Sequence, residues 1–237
     1  MDNHHLSDAL SESILPPVIK AQKGVHEKVL EIFDRLPRGS VLDTPAGEGA
    51  LSQRLRELGF HVTAGDIALD FRAAKVNFLR LDLDQALPFS EASFDYVACV
   101  EGIEHVENPY HLLREFARVL RPGATLVLST PNVLCIRSRI RFFLSSYHRF
   151  FKDIYPGWHL TPLSYRELKY GLDQAGMRIQ TVATNWYRIK WRPIYPLLRA
   201  LIRWYTRLKH PLGEEVTTRE ILDGAILIIE AQKGKES

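Results

Sequence analysis

The sequence predicts an α/β fold built around a parallel sheet, and three observations predict it. Short apolar segments alternate with segments of helical spacing along most of the chain, the pattern of successive βαβ units. Phe94-Asp95-Tyr96-Val97-Ala98-Cys99-Val100 is a near-continuous apolar run, as in a strand buried on both faces of a parallel sheet. Ser40-Val41-Leu42-Asp43-Thr44-Pro45-Ala46-Gly47-Glu48-Gly49-Ala50 joins a short strand to a helix through a Pro/Gly-punctuated loop. Glycine lets backbone approach a ligand closely, and the helix that follows offers unpaired N–H groups and the positive end of its dipole.

Each element has its own justification. Residues 16–36 read as a helix started by Pro16-Pro17, with Val18, Val25, Val29, Leu30, Ile32 and Phe33 mostly on one side, and Pro37-Arg38-Gly39 stops it. Val41-Leu42 is the first strand, and Leu51 to Leu58 is the helix beyond the loop. A second strand, Phe60 to Ile67, and a third, Asn77 to Leu83, carry Asp66 and Asp82 near their ends. The Phe94 to Val100 run is the fourth. Leu112, Leu113, Phe116, Val119 and Leu120 give residues 109–120 helical spacing, Arg121-Pro122-Gly123 ends that helix, and Ala124 to Thr130 is a fifth strand. Ser164 with Glu167 forms a capping-box pattern that opens a helix to Ala175. Met177 to Thr184 is a strand, Pro196 to Lys209 a helix, and Ala225 to Ala231 the final strand.

The chain's 237 residues suffice for one large domain with a sizeable core, and its 46% hydrophobic and 25% charged composition is that of ordinary globular proteins. Two cysteines, Cys99 and Cys135, make a disulfide framework a poor fit and point to a reducing, cytoplasmic compartment. The polar start lacks a signal pattern, and no apolar run is long enough to cross a bilayer. Residues 1–15 are expected to be a flexible N-terminus, and 16–237 one domain with insertions at about 133–160 and 186–220.

Those insertions hold the uneven charge. Residues 133–152 contain Arg137, Arg139, Arg141, Arg149 and Lys152 without an acid, and residues 186–210 contain seven basic residues without an acid. In the second, Leu198, Leu201, Ile202, Tyr205 and Leu208 share a helix face, while Arg199, Arg203 and Arg207 line another. The first pairs Arg137 with Arg141 beside Ile136, Ile140, Phe143 and Tyr147. Basic amphipathic helices of this kind suit an anionic membrane surface, through 136–149 and 196–209, or a lid over a site.

Chemistry centres on Asp43, Asp66 and Asp82. At the ends of successive parallel strands they share one sheet edge and can face one elongated ligand. The glycine spacing does not match the dinucleotide fingerprint, and no Gly-Lys-Ser/Thr phosphate loop is present.

At these residues the chain resembles the class I S-adenosylmethionine-dependent methyltransferases. Val41 to Gly49 is similar to their first motif. Asp82-Leu83-Asp84-Gln85-Ala86-Leu87-Pro88-Phe89 with Ser93 to Val97 resembles their adenine-side motif and fourth strand. Glu101-Gly102-Ile103-Glu104-His105-Val106 and Leu120 to Ala124 resemble the next two. The pattern is that of small-molecule enzymes such as the quinone-biosynthesis methyltransferases. The resemblance implies a doubly wound, seven-stranded, mainly parallel sheet of the Rossmann-like methyltransferase type, its last strand antiparallel. It implies S-adenosylmethionine as cofactor and S-adenosylhomocysteine as product. Asp43 and the backbone of Thr44, Pro45, Ala46 and Gly47 would hold the methionine part, with Pro45 standing where the family usually has glycine. Asp66 would take the ribose hydroxyls and Ile67 the adenine face. Asp82 and Leu83 would read the adenine edge, while Glu101 and Gly102 line the sulfonium side.

A hydroxyl acceptor must lose a proton, and histidine titrates near neutrality, so His105 and His159 are the candidate bases. No His/Asp/Glu run has the spacing of a ligand set, so no metal is expected. Val100-Glu101-Gly102-Ile103 replaces the Asn/Asp-Pro-Pro-aromatic turn of base-amino methylases, which argues against a base-amino methylase though not against every RNA substrate. The expected function is methyl transfer to a small-molecule or lipid-linked acceptor at oxygen, at the inner face of a membrane. The rival readings are a non-catalytic binding module of the same fold at a membrane surface and an RNA methyltransferase.

Overall fold

A computed structural model describes residues 16–151, 159–185, 194–209 and 219–235. The expected flexible stretch 1–15 and much of the second insertion lie outside them. The strands are β1 (Ser40–Asp43), β2 (His61–Asp66), β3 (Asn77–Arg80), β4 (Phe94–Val100), β5 (Leu120–Pro131), β6 (Met177–Thr184) and β7 (Ile226–Lys233). The helices are α1 (Val25–Asp34), α2 (Ala50–Glu57), α3 (Pro109–Val119), α4 (Ile136–Ser145), α5 (Tyr165–Gln174), α6 (Ile194–Lys209) and α7 (Arg219–Asp223). The seven strands form one sheet in the order β3-β2-β1-β4-β5-β7-β6. β1 through β5 are parallel, and β7 runs antiparallel to both β5 and β6.

Period-two side-chain alternation explains why the central strands read as continuous apolar runs. Leu42, Val97 and Cys99 enter one core layer with Leu112, Leu113 and Phe116 of α3 and Leu168 and Leu172 of α5. Val41, Tyr96, Ala98 and Val100 enter the other, with Val29 and Phe33 of α1 and Leu51 and Leu55 of α2. The sheet is therefore buried from both sides, which leaves its strand ends as the place for a ligand.

Four expectations change. The first helix begins at Val25, not at Pro16. Gly24 at φ +88° breaks the run, and Val18 and Gln22 donate their N–H groups to the carboxylates of Glu48 (3.1 Å) and Glu101 (2.6 Å) instead of to a helix. Residues 16–24 thus form an extended strap. Leu120 to Gly123 belongs to β5, because Leu120 already pairs with Phe94 before the register shifts toward Tyr96. β3 ends at Arg80, so Leu81 to Leu83 lies beyond the strand. Finally, the short α7 and a 3-10 turn at Ile103–His105 follow no periodic signal long enough to read. Asn132 and Asn185 fix the last crossover: the Asn132 amide donates to the carbonyls of Ile221 and Gly224, and Asn185 accepts from Ile226 N–H.

Candidate active site

The carboxyl ends of β1, β2 and β4 and the loop after β3 open on one cleft of about 1080 Å³, at the upper end of the roughly 300–1,000 Å³ typical of small-molecule sites. Asp43, Pro45, Ala46, Gly47, Asp66, Ile67, Asp82, Leu83, Glu101, Gly102, His105 and His159 all line it, so the fold brings together nearly every residue expected in the site. Thr44 is the exception: it is fully buried behind the loop.

The glycine loop is pinned from both sides. Thr44 N–H donates to the Ala98 carbonyl (2.9 Å) on β4 and Ala46 N–H to the Gly65 carbonyl (3.0 Å) on β2. Gly47 N–H donates to Asp66 Oδ2 (2.7 Å), whose Oδ1 accepts from Ala68 N–H (2.9 Å). The backbone donors of Thr44, Ala46 and Gly47 are therefore engaged within the protein, and the loop offers a ligand its shape and acids more than its N–H groups. Gly49, at φ +93°, lies so close to Phe71 and Ala73 that a Cβ would stand 2.6 Å from the Phe71 ring. Gly102 is held against Pro45 in the same way: a Cβ there would stand 2.2 Å from Pro45 Cδ. Pro45 and Gly102 form one contact between the loops after β1 and β4, which requires glycine at 102.

Asp43 fits a cationic ligand group. One of its oxygens accepts from the Ser52 hydroxyl, and Oδ1 is buried with no hydrogen-bond partner. Burial, with the nearby negative charge of Asp66, raises its pKa to about 7 against the pull of Ser52. A buried carboxylate oxygen without a donor is costly unless a ligand supplies one, and an ammonium group does so. Asp82 is exposed, lines the cleft and accepts from Asp84 N–H in a turn. Glu101, at φ +49°, is held by bonds from its N–H to Ser129, and burial raises its carboxyl pKa while the Gln22 N–H opposes that.

At the other end, the His105 and His159 rings lie 4.8 Å apart. His159 Nδ1 stands 2.8 Å from the Phe150 carbonyl, so this nitrogen carries the hydrogen and Nε2 keeps the lone pair. Burial lowers the His159 pKa, keeping the ring neutral at physiological pH. Glu104 joins them: one ligand atom from each of Glu104, His105 and His159 falls within 4.8 Å of the others, a set that could hold a metal ion. The expectation of no metal rested on local spacing, which hides a cluster assembled from residues 104, 105 and 159. Glu104 is fully buried; Oε2 accepts from the Thr130 hydroxyl (3.0 Å), and Oε1 has no partner. Burial raises its pKa to about 8. Its carbonyl accepts from Leu160 and Thr161 N–H, docking the segment that carries His159 onto the 3-10 turn.

Sequence reasoning missed several cleft residues. Val18, Lys20 and Gln22 come from the strap read as a helix, and Lys20 pairs with Asp70 (2.8 Å) and Glu48 (3.6 Å). Arg141, Arg149 and Phe150 come from the first basic insertion, where the only available signal was the density of arginine without acid. Arg141 and Arg149 turn into the cleft, and Arg139 turns back to cap the Leu134 carbonyl (2.7 Å). The arginines of α4 are therefore not a single outward stripe, whereas Phe142, Phe143, Leu144 and Tyr147 are exposed.

A family model described as a methyltransferase domain matches residues 19–182. The ubiquinone biosynthesis O-methyltransferase of Xanthomonas campestris is 36% identical over 107 residues, covering 41% of this chain and 45% of that protein. Its counterpart in Xanthomonas oryzae is 35% identical over 102 residues, 39% of this chain and 43% of that protein. The chain thus spans less than half the length of the curated relatives it matches. Among solved structures, a SAM-dependent methyltransferase from Archaeoglobus fulgidus aligns with TM-score 0.57 at 19% identity, over 87% of this chain and 90% of that one. An S-adenosylmethionine-dependent methyltransferase from Mesorhizobium loti aligns with TM-score 0.56 at 17% identity, over 89% and 99%. These structural likenesses concern the fold.

Proposed function

The chain belongs to the methyltransferase-domain family, and we propose that it moves a methyl group from S-adenosylmethionine to a hydroxyl of a small-molecule or lipid-linked acceptor. The observation that carries this reading is a single cleft lined by Asp43, Asp66, Asp82 and Glu101 and also by His105 and His159, whose rings lie 4.8 Å apart. Asp43, whose Oδ1 has no partner, would hold the amino group of the cofactor, and Asp66 its ribose. The exposed side chain of Ile67 suits an adenine face, with Asp82 and Leu83 at its edge. Bound there, the cofactor would supply an electrophilic sulfonium methyl, with neutral thioether as the leaving group, to the acceptor oxygen.

The protein aligns the acceptor and receives its proton. His159 suits the second task, because its Nδ1–H is committed to Phe150 and its neutral Nε2 remains basic. His105 stands beside it as the alternative base or as a binder of the same hydroxyl. Oxygen is favoured as the methylated atom by the similarity to proteins named O-methyltransferases. No observation supports the non-catalytic or RNA-directed readings.

A membrane-borne acceptor accords with the surface. α6 exposes Leu197, Leu201, Trp204, Tyr205 and Leu208, within a segment rich in arginine and free of acids. Apolar side chains beside positive charge complement anionic lipid headgroups, which supports a proposed location at the inner face of the membrane. Calorimetric titration with S-adenosylmethionine and S-adenosylhomocysteine tests the first reading: micromolar binding of both is expected, and no binding at millimolar concentration removes it. Pelleting with anionic vesicles tests the second. Replacing Arg199, Arg203 and Arg207 by Glu should abolish pelleting, and survival of pelleting removes α6 from the surface.

A further inference from the structure

The cleft carries both signs of charge. Asp43, Asp66, Asp82 and Glu101 line it at and just beyond the strand ends, and Arg141 and Arg149 of the first basic insertion line it as well. Arg141 makes no ion pair among the described residues, and its Nε is buried with no hydrogen-bond partner. A guanidinium donor held out of water without an acceptor is unfavourable unless a ligand supplies the oxygen. Phe150 lies over Arg149, whose guanidinium carbon is 4.7 Å from the ring centroid, and the Phe150 carbonyl fixes His159. One short segment therefore positions a planar cation and the basic nitrogen together.

We propose that the methyl acceptor carries an anionic group, a carboxylate or a phosphate, which Arg141 and Arg149 hold while its hydroxyl lies against His159. The planar forks of arginine match both anions in bidentate geometry. This rests on the methyl-transfer reading, and it assigns the first basic insertion to substrate recognition and not to the membrane surface alone.

The test uses the full chain saturated with S-adenosylhomocysteine, whose own titration is read first, so that failure of the cofactor site is seen separately. Two matched pairs then serve as probes by ligand-observed NMR: 3,4-dihydroxybenzoate against 3,4-dihydroxybenzyl alcohol, and phenyl phosphate against phenol. In at least one pair the anion should bind about tenfold or more tightly than its neutral twin, and the pair that does so tells carboxylate from phosphate. Arg141→Met and Arg149→Met should each shrink that preference severalfold while S-adenosylhomocysteine affinity stays unchanged. Arg141→Lys, which keeps the charge and loses the fork, should retain an intermediate preference and guards against a folding defect in the Met variant. Equal binding of anion and neutral twin in both pairs overturns the proposal. So does the absence of any probe binding at millimolar concentration, or a preference that survives Arg141→Met and Arg149→Met together.

Discussion

The two ends of the cleft are built by different means. At the strand-end side, two of the acids are placed by strands that the sheet itself fixes, while Asp82 and Glu101 lie just beyond β3 and β4. Asp43 and Asp66 terminate β1 and β2, and Gly47 and Ala68 hold Asp66 in place. At the histidine end, the groups come from residues 104–105, 141–150 and 159, joined by a few long-range bonds such as Leu160 N–H to the Glu104 carbonyl. The first end is rigid because the hydrogen-bonded ladder positions it. The second is adjustable, because its spacing depends on how one insertion folds over the sheet edge. A constant ligand belongs at the rigid end and a variable one at the adjustable end.

That contrast can be broken by substitution. His159→Ala should lower turnover about a hundred- to ten-thousandfold with cofactor affinity intact, measured by label transfer and calorimetry in parallel. Normal turnover makes the histidine a bystander. Asp66→Ala should act in the opposite compartment, weakening S-adenosylhomocysteine binding roughly ten- to hundredfold with little change in thermal stability. An unchanged affinity takes Asp66 out of the site.

pH sharpens the same division. Asp43 must be ionised to hold an ammonium group, and its pKa is raised to about 7. Affinity for S-adenosylmethionine should therefore climb about tenfold per pH unit on the acid side of that value and level off above it. Titrations in buffers of different ionisation enthalpy should also show proton release on binding, and a flat profile from acid to neutral pH refutes the assignment.

Stability offers a further probe of the histidine end. Glu104 has a folded pKa of about 8 against an ordinary 4.5. The folded state thus binds the extra proton between those values, and stability declines as pH rises through that window. Glu104→Gln removes the titration. Relative to it, the wild type should lose on the order of 3–5 kcal/mol of unfolding free energy across the window, by denaturant melts at several pH values. Parallel curves for the two proteins would show that Glu104 ionises freely.

The same division decides what the sequence discloses. Strand-end acids are readable because a strand, a carboxylate and a glycine loop are contiguous, as in Leu42-Asp43-Thr44-Pro45-Ala46-Gly47. Arg141 and His159 are eighteen positions apart and meet only in the folded insertion, so no local pattern announces them. The strap misled for a related reason. Val18 and Val25 fit a helical face, yet the N–H groups of Val18 and Gln22 find carboxylates 30 and 79 positions away, and tertiary bonds override the local preference. Likewise Arg121-Pro122-Gly123 has the chemistry of a turn but lies within β5, in the register shift between Leu120, which pairs with Phe94, and Thr125, which pairs with Tyr96.

The position of β7 bears on how the protein is made. β7 lies between β5 and β6 and pairs with both, yet it is assembled from residues 226–233. During synthesis β5 is complete at residue 131, and β6 at residue 184. Until β7 emerges, the nascent chain therefore presents one open edge on β5 and an unpartnered β6, each a template for another chain. A ribosome that stalls before residue 226 leaves a polypeptide with its cofactor-side strands in place and a sheet that cannot close, the kind of intermediate that holdase chaperones retain.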